Sequence, residues 1–280
     1  MTGLSSYLRR GGLALVAIGI GGFVADYLLN VGLSRALEPH AFGDYRVARA
    51  FAFFFGSAVL LGGDRAGPKA LAGPLARGEP AAVWEYLRFY LRLSLALSLL
   101  VIAATWLIGA LHVGAFDPRH HHALAWMVVT VPVLAAGALE SRTLQSALFP
   151  VHAALPWRIG LPVLILAAVA GLRWAQPTVH LEQVVILSIV ATLVVAGWQW
   201  WRTRRLALPE LRRDPAVATP RRWLQASVPM MGVFLVTLAL NQSDLYFLEL
   251  LGAEHEVGFY AAAETTAHFL ILVQTTVVAL

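Results

Sequence analysis

The stretch from Leu13 to Leu37 is 25 residues long and holds only two charged side chains, Asp26 and Arg35. A helix needs about 20 mainly apolar residues to cross ~30 Å of hydrocarbon, so this stretch is long enough to span a bilayer. It is too long for the apolar core of a cleaved signal peptide, about 7–15 residues. Seven further stretches repeat the pattern: Tyr45 to Gly63, Val83 to Leu111, Ala123 to Leu144, Pro156 to Trp174, Val184 to Trp201, Leu224 to Leu248 and Val257 to Leu280. The expected fold class is therefore all-α, a polytopic membrane protein with about eight transmembrane helices. The fifth stretch has the shortest uncharged run, Ile159 to Leu172, and holds Pro162. That predicts a kinked or tilted helix packed inside a bundle.

Composition agrees and excludes other classes. Hydrophobic residues make up 59% of the chain and charged residues 13%, against about 25% charged in soluble domains. A soluble enzyme, a disordered chain and a nucleic-acid-binding domain are excluded. The net charge of +5 comes from basic residues in short clusters between apolar runs, a membrane-protein distribution and not a DNA-binding one. The chain has no cysteine, which excludes disulfides and thiolate metal sites. His120, His121 and His122 beside Asp117 lack regular metal-ligand spacing. No nucleotide-binding, zinc-protease or serine-hydrolase signature is present. No cofactor is expected, and energy is expected from an ion gradient (H+ or Na+), from charge or from the substrate's own gradient.

Orientation follows from the basic residues. With the N-terminus inside, fourteen fall on the inner side, seven of them between Arg202 and Arg222, and only Arg119 and Arg173 fall in outer loops. The N-terminus is therefore expected on the cytoplasmic side. Trp84, Trp126, Trp157, Trp174, Trp198, Trp200 and Trp201 lie near expected helix ends, as interfacial anchors do. The Arg-rich segment 202–222 also carries Pro209, Pro215 and Pro220. It reads as a linker between a six-helix lobe, 1–201, and the start of a second lobe, 223–280.

Shifting the sequence by 215 positions lays the first outer turn over a later one. His40 meets His255, Gly43 meets Gly258, Tyr45 meets Tyr260 and Ala48 meets Ala263. Spans one and two then correspond to spans seven and eight. An offset of six spans keeps orientation and implies two parallel lobes about an axis along the membrane normal. Only two helices of the second lobe are present, which predicts that the natural protein continues for at least four more.

Two turns carry a resemblance: Leu33-Ser34-Arg35-Ala36-Leu37-Glu38-Pro39-His40-Ala41-Phe42-Gly43-Asp44-Tyr45 after span one, and Asp244, Leu251-Gly252 and Val257-Gly258-Phe259-Tyr260-Ala261-Ala262-Ala263 after span seven. The chain resembles the polysaccharide (Wzx-type) flippases of the multidrug/oligosaccharidyl-lipid/polysaccharide exporter superfamily. The resemblance implies two six-helix lobes around a central cavity lined by polar and cationic residues. It implies transport of undecaprenyl-diphosphate-linked glycan between leaflets, with the lipid bilayer, the glycan and the polymerase or glycosyltransferases of glycan assembly as partners. Two other functions are weighed: a drug or cation exporter of the same superfamily, and a membrane glycan polymerase or ligase. The first would want an acid-dominated cavity and the second a substantial outer loop with catalytic carboxylates.

Ionisable residues at membrane depth point to function because they are expensive there. In span one, Gly19, Gly22, Asp26 and Asn30 form one small and polar stripe. In span two, Arg46 and Arg49 share a face and offer guanidinium forks for a diphosphate; the bland reading is snorkelling to headgroups, with Arg49 only ~7 Å into its helix. In span seven, Thr237, Asn241 and Asp244 share a face. Glu140 and Arg142 end span four, and Glu264 and His268 stand four apart in span eight. These last two pairs are candidates for a gate or proton relay.

Overall fold

The computed structural model describes residues 2–111, 122–176, 178–207 and 220–250, with Phe259, Tyr260, Ala263 and Ala267. The side chains of residues 2–13, Asn241 and Asp244 lie outside that description. Among the described residues the chain is all-helical: α1 (Thr2–Ala36), α2 (Pro39–Ala58), α3 (Gly63–Ala76), α4 (Pro80–Ala110), α5 (His122–Met127), α6 (Val131–Ser146), α7 (Pro150–Leu155), α8 (Leu161–Ala175), α9 (Leu181–Leu206) and α10 (Pro220–Leu250). Among the described residues five helices are long and apolar enough to cross a membrane, or six if α2 and α3 form one span bent by 42°. The protein is a multi-pass membrane protein by that measure. The expected seventh span lies within α10, and the expected eighth, 257–280, lies almost wholly outside the described residues.

Prolines set the starts. α2, α4 and α7 begin on Pro39, Pro80 and Pro150, where a missing N–H costs nothing and φ is already helical. The second span therefore starts at Pro39 and not near Tyr45, which carries Arg49 ten residues into the helix, or ~15 Å. The segment with Arg65 and Lys69, between the expected second and third spans, is the helix α3. Between α2 and α3, Leu61 and Gly62 take positive φ, 46° and 80°. A Cβ at Gly62 would collide with the carbonyl oxygen of Ser227 on α10. The break and the docking of α10 thus share one glycine.

The fifth span is irregular, as expected, but the irregularity precedes Pro162. A π-helical turn at Pro156–Gly160 joins α7 to α8. Pro156 and Pro162 each lack an N–H, so the regular ladder cannot run through this stretch. At the far end, α9 runs on to Leu206, past the expected boundary at Trp201. Its terminal arginines stay helical against the indoles of the same turns: Arg205 lies 4.3 Å from the Trp201 ring centre and Arg204 5.0 Å from that of Trp200.

Layering follows burial. α6 packs against α2, α3, α4, α7 and α9 and forms the centre; Val131, Ala135, Leu139 and Leu144 on it are fully buried. α4 is peripheral, with Leu99, Leu100 and Leu107 turned outward. Apolar side chains on that face suit hydrocarbon and would be a liability in water. Trp126, Trp174, Trp198 and Trp201 are exposed, as anchors would be. Trp157 is not one of them. Its ring lies against Gly137 of α6, where a Cβ would overlap it.

Candidate functional site

The turn between α1 and α2 is two residues, Leu37 and Glu38. Antiparallel helices joined so tightly bring together positions equally far from the turn. Asp26 and Arg49 each stand ten residues from their helix ends, and Asn30 and Arg46 stand six and seven away. The side chains meet accordingly. Arg49 Nη2 donates to Asp26 Oδ1 at 2.7 Å. Arg46 Nη1 donates to Asn30 Oδ1 at 2.9 Å. Asn30 Nδ2 donates to Asp26 Oδ2 at 3.0 Å and to the Asp26 carbonyl at 2.7 Å. All four residues expected from spans one and two join in one chain of contacts. The snorkelling reading of Arg49 is set aside, because its guanidinium turns to a carboxylate on the neighbouring helix.

The network faces a cavity of about 470 Å³, within the usual ~300–1,000 Å³ of small-ligand sites. Its walls come from α1, α2, α5, α6, α8 and α9 through Tyr27, Phe53, Met127, Leu134, Leu161 and Thr192, and from the π-helical turn through Trp157. The Asp26 side chain keeps 40% of its surface open and Arg49 keeps 29%, so the pair borders the cavity and is not sealed in the core. Tyr45 and Ser188 share a 3.0 Å hydrogen bond that ties α2 to α9 across the cavity wall. Ser188 and Thr192 also bond back to their own helix at Val184 O and Ser188 O. Nothing in the sequence singled out this α9 wall; two small hydroxyls one turn apart on an apolar helix were the available signal.

The small stripe of span one divides. Gly22 packs against the Arg158 backbone and Cβ of the π-helical turn, whereas Gly19 has nothing within 4 Å. The glycines serve close helix approach in part, and Asp26 and Asn30 serve the network.

Glu140 and Arg142 do not pair. Arg142 Nη1 donates to Gln145 Oε1 at 2.8 Å, and Glu140 lies 4% exposed in the bundle centre. Their spacing of two on a helix turns them to different sides. Thr237 Oγ1 bonds Val233 O on its own helix. Asn241 and Asp244 lie on α10, with side chains outside the described residues, as are Glu264, His268 and the second copy of the turn at 251–258. Among the described residues no cluster of His, Cys, Asp and Glu could hold a metal ion. No protein family, curated protein or solved structure matches the chain.

Proposed function

We propose that this protein is a transporter that moves an anionic, lipid-linked glycan (an undecaprenyl-diphosphate-linked oligosaccharide) from the inner to the outer leaflet of a bacterial cytoplasmic membrane by alternating access. One observation carries the reading: two guanidinium groups, Arg46 and Arg49, border a cavity between apolar helices, where Arg49 meets the Asp26 carboxylate and Arg46 the Asn30 amide. Each guanidinium has five N–H donors, and planar forks of this kind match phosphate oxygens bidentately. A cavity of this size accepts a diphosphate and the first sugar, while the lipid tail stays in the bilayer. The resemblance at the first turn, Leu33 to Tyr45, supports the same substrate class. Acids do not dominate the cavity, which speaks against a cation exporter.

In this mechanism Asp26 and Asn30 hold the two guanidiniums in place when no substrate is present. An incoming diphosphate takes over their donors. The anion is neutralised as it leaves water, which lowers the cost of crossing hydrocarbon. Cavities opening to alternate sides would require a second lobe, which the repeat proposes to begin at 223.

The test is genetic and biochemical. Deletion of the gene is expected to build up lipid-linked glycan on the inner leaflet, relieved by the wild type and not by Arg49→Ala. Build-up of unpolymerised units on the outer leaflet would point to a polymerase or ligase. No lipid-linked build-up would point to drug or cation export.

A further inference from the structure

Around one turn of α6, between Gly137 and Ser141, three buried polar atoms from three elements have no hydrogen-bond partner among the described residues. They are Glu140 Oε2, Gln199 Oε1 of α9 and Trp157 Nε1 of the π-helical turn. The elements are locked to this turn. The Trp157 ring lies on Gly137, Gln199 Nε2 donates to Ser141 Oγ at 2.7 Å, and Ser141 Oγ donates to Ala153 O at 3.2 Å. Gln199 is fully buried and Glu140 is 4% exposed. The orphans are two acceptors and one donor.

Among the described residues no cation pairs with the Glu140 carboxyl. The charged groups on the helices packed around α6 are engaged or point away. Arg142 on α6 itself bonds Gln145. Arg65 on α3 lies 3.1 Å from Asp64 and stacks on Phe234. Arg46 and Arg49 on α2 bond Asn30 and Asp26. Arg202 on α9 stacks over Trp198 and Trp201. Arg88 and Arg92 on α4 and Arg158 of the π-helical turn are exposed, and Glu85 and His152 are half-buried. Asp64 is buried to the same degree as Glu140 and also keeps one oxygen without a partner, but it has Arg65 beside it, which sets Glu140 apart among the described carboxyls. An isolated carboxylate in such a place costs far more than a carboxylic acid, and the group takes a proton instead.

We propose that the Glu140 carboxyl, buried on the α6 turn whose neighbouring residues Gly137 and Ser141 hold the π-helical turn and α9, is a proton-binding site, loaded in the packed conformation and discharged when these elements part and water enters. The proton comes from bulk water and returns to it, and no other bond changes. Resting on the transport reading, the same site ties proton binding to the alternation of the bundle, because a proton binds only the state that buries Glu140 and so shifts the population toward it. The Asp26–Arg49 pair takes the substrate and Glu140 takes the ion.

The experiment uses infrared spectroscopy of the full chain in lipid nanodiscs, titrated with pH. Near neutral pH the wild type is expected to show a carboxylic-acid C=O stretch that moves on 13C-labelling of glutamate carboxyls. The band is expected to vanish in Glu140→Gln and to remain in Asp26→Asn and Asp64→Asn. The isotope shift needs no variant, so a misfolded mutant does not blunt the test. A wild type with no protonated glutamate, a band that survives in Glu140→Gln, or a band displaced by sodium ions at fixed pH would each overturn the proposal. This readout is blind to what the protein carries, so its failure is separable from failure of the glycan-transport reading.

Discussion

Two polar centres sit in the same apolar bundle, and they are built in opposite ways. Between α1 and α2 each charged side chain meets an opposite charge or an amide, and the group borders a cavity. At the Gly137–Ser141 turn of α6 a carboxyl is buried with no described cation beside it and keeps an unpartnered oxygen. In the proposed mechanism the matched centre answers to another ion that competes for its partners, and the unmatched centre answers to a proton. Membrane depth makes both expensive, and the proposed mechanism assigns one centre to a charged cargo and the other to a driving ion.

The sharpest way to break this comparison is to change the sign of the unmatched centre. Glu140→Lys puts an unpaired cation where no counter-ion is available, and several kcal/mol of stability are expected to be lost. Glu140→Gln is expected to stay within about 1 kcal/mol of wild type, since amide and acid have similar shape and are both neutral. Thermal denaturation in one detergent or nanodisc compares them. Equal losses in the two variants would make Glu140 an ordinary ionised carboxylate.

The matched centre is expected to respond less, and to both partners. Arg49→Ala leaves Asp26 without its ion pair and is expected to cost about 1–2 kcal/mol. A double-mutant cycle with Asp26→Ala should return a coupling of up to about 1.7 kcal/mol, the upper range for polar pairs between membrane helices. Additivity would mean that the pair is a crossing of side chains and not an interaction. Below that in size, Tyr45→Phe removes one hydrogen bond to Ser188 and is expected to cost about 0.6 kcal/mol. Smallest is the exposed fork outside the spans. Arg77 reaches Glu79 at 2.6 and 2.9 Å and holds its carboxyl below the usual carboxylate range. Any stability from it is present above that ordinary range and fades as pH falls, and full exposure leaves it screened. Arg77→Gln is expected to leave the denaturation midpoint unchanged at neutral pH.

Much of the matched centre is legible in the order of residues along the chain. Asp26, Asn30, Arg46 and Arg49 stand out because charges in apolar runs are rare. Their pairing is legible too, since a two-residue turn pairs positions equidistant from it; the helix start at Pro39 was the missing piece, and it hid how deep Arg49 lies. The cavity's far wall at Ser188 and Thr192 was not legible, because hydroxyls that bond their own helix look alike on any face. The tryptophans show the same limit. Proximity to a helix end marked Trp174 and Trp157 alike, yet one lies outside and the other against Gly137.

By itself the sequence determined that the chain is helical, crosses a membrane several times and carries its charges at a few deep positions. Length, apolarity and the cost of an unpaired backbone in hydrocarbon leave no other solution. Only the tertiary structure decided which helix stands at the centre, where α2 breaks against α10, and which deep charges have partners. Helical periodicity places Glu140 and Asp26 each on a face of its own helix. What the neighbouring helix brings to that face depends on contacts between residues far apart in the chain, and no local pattern carries that information.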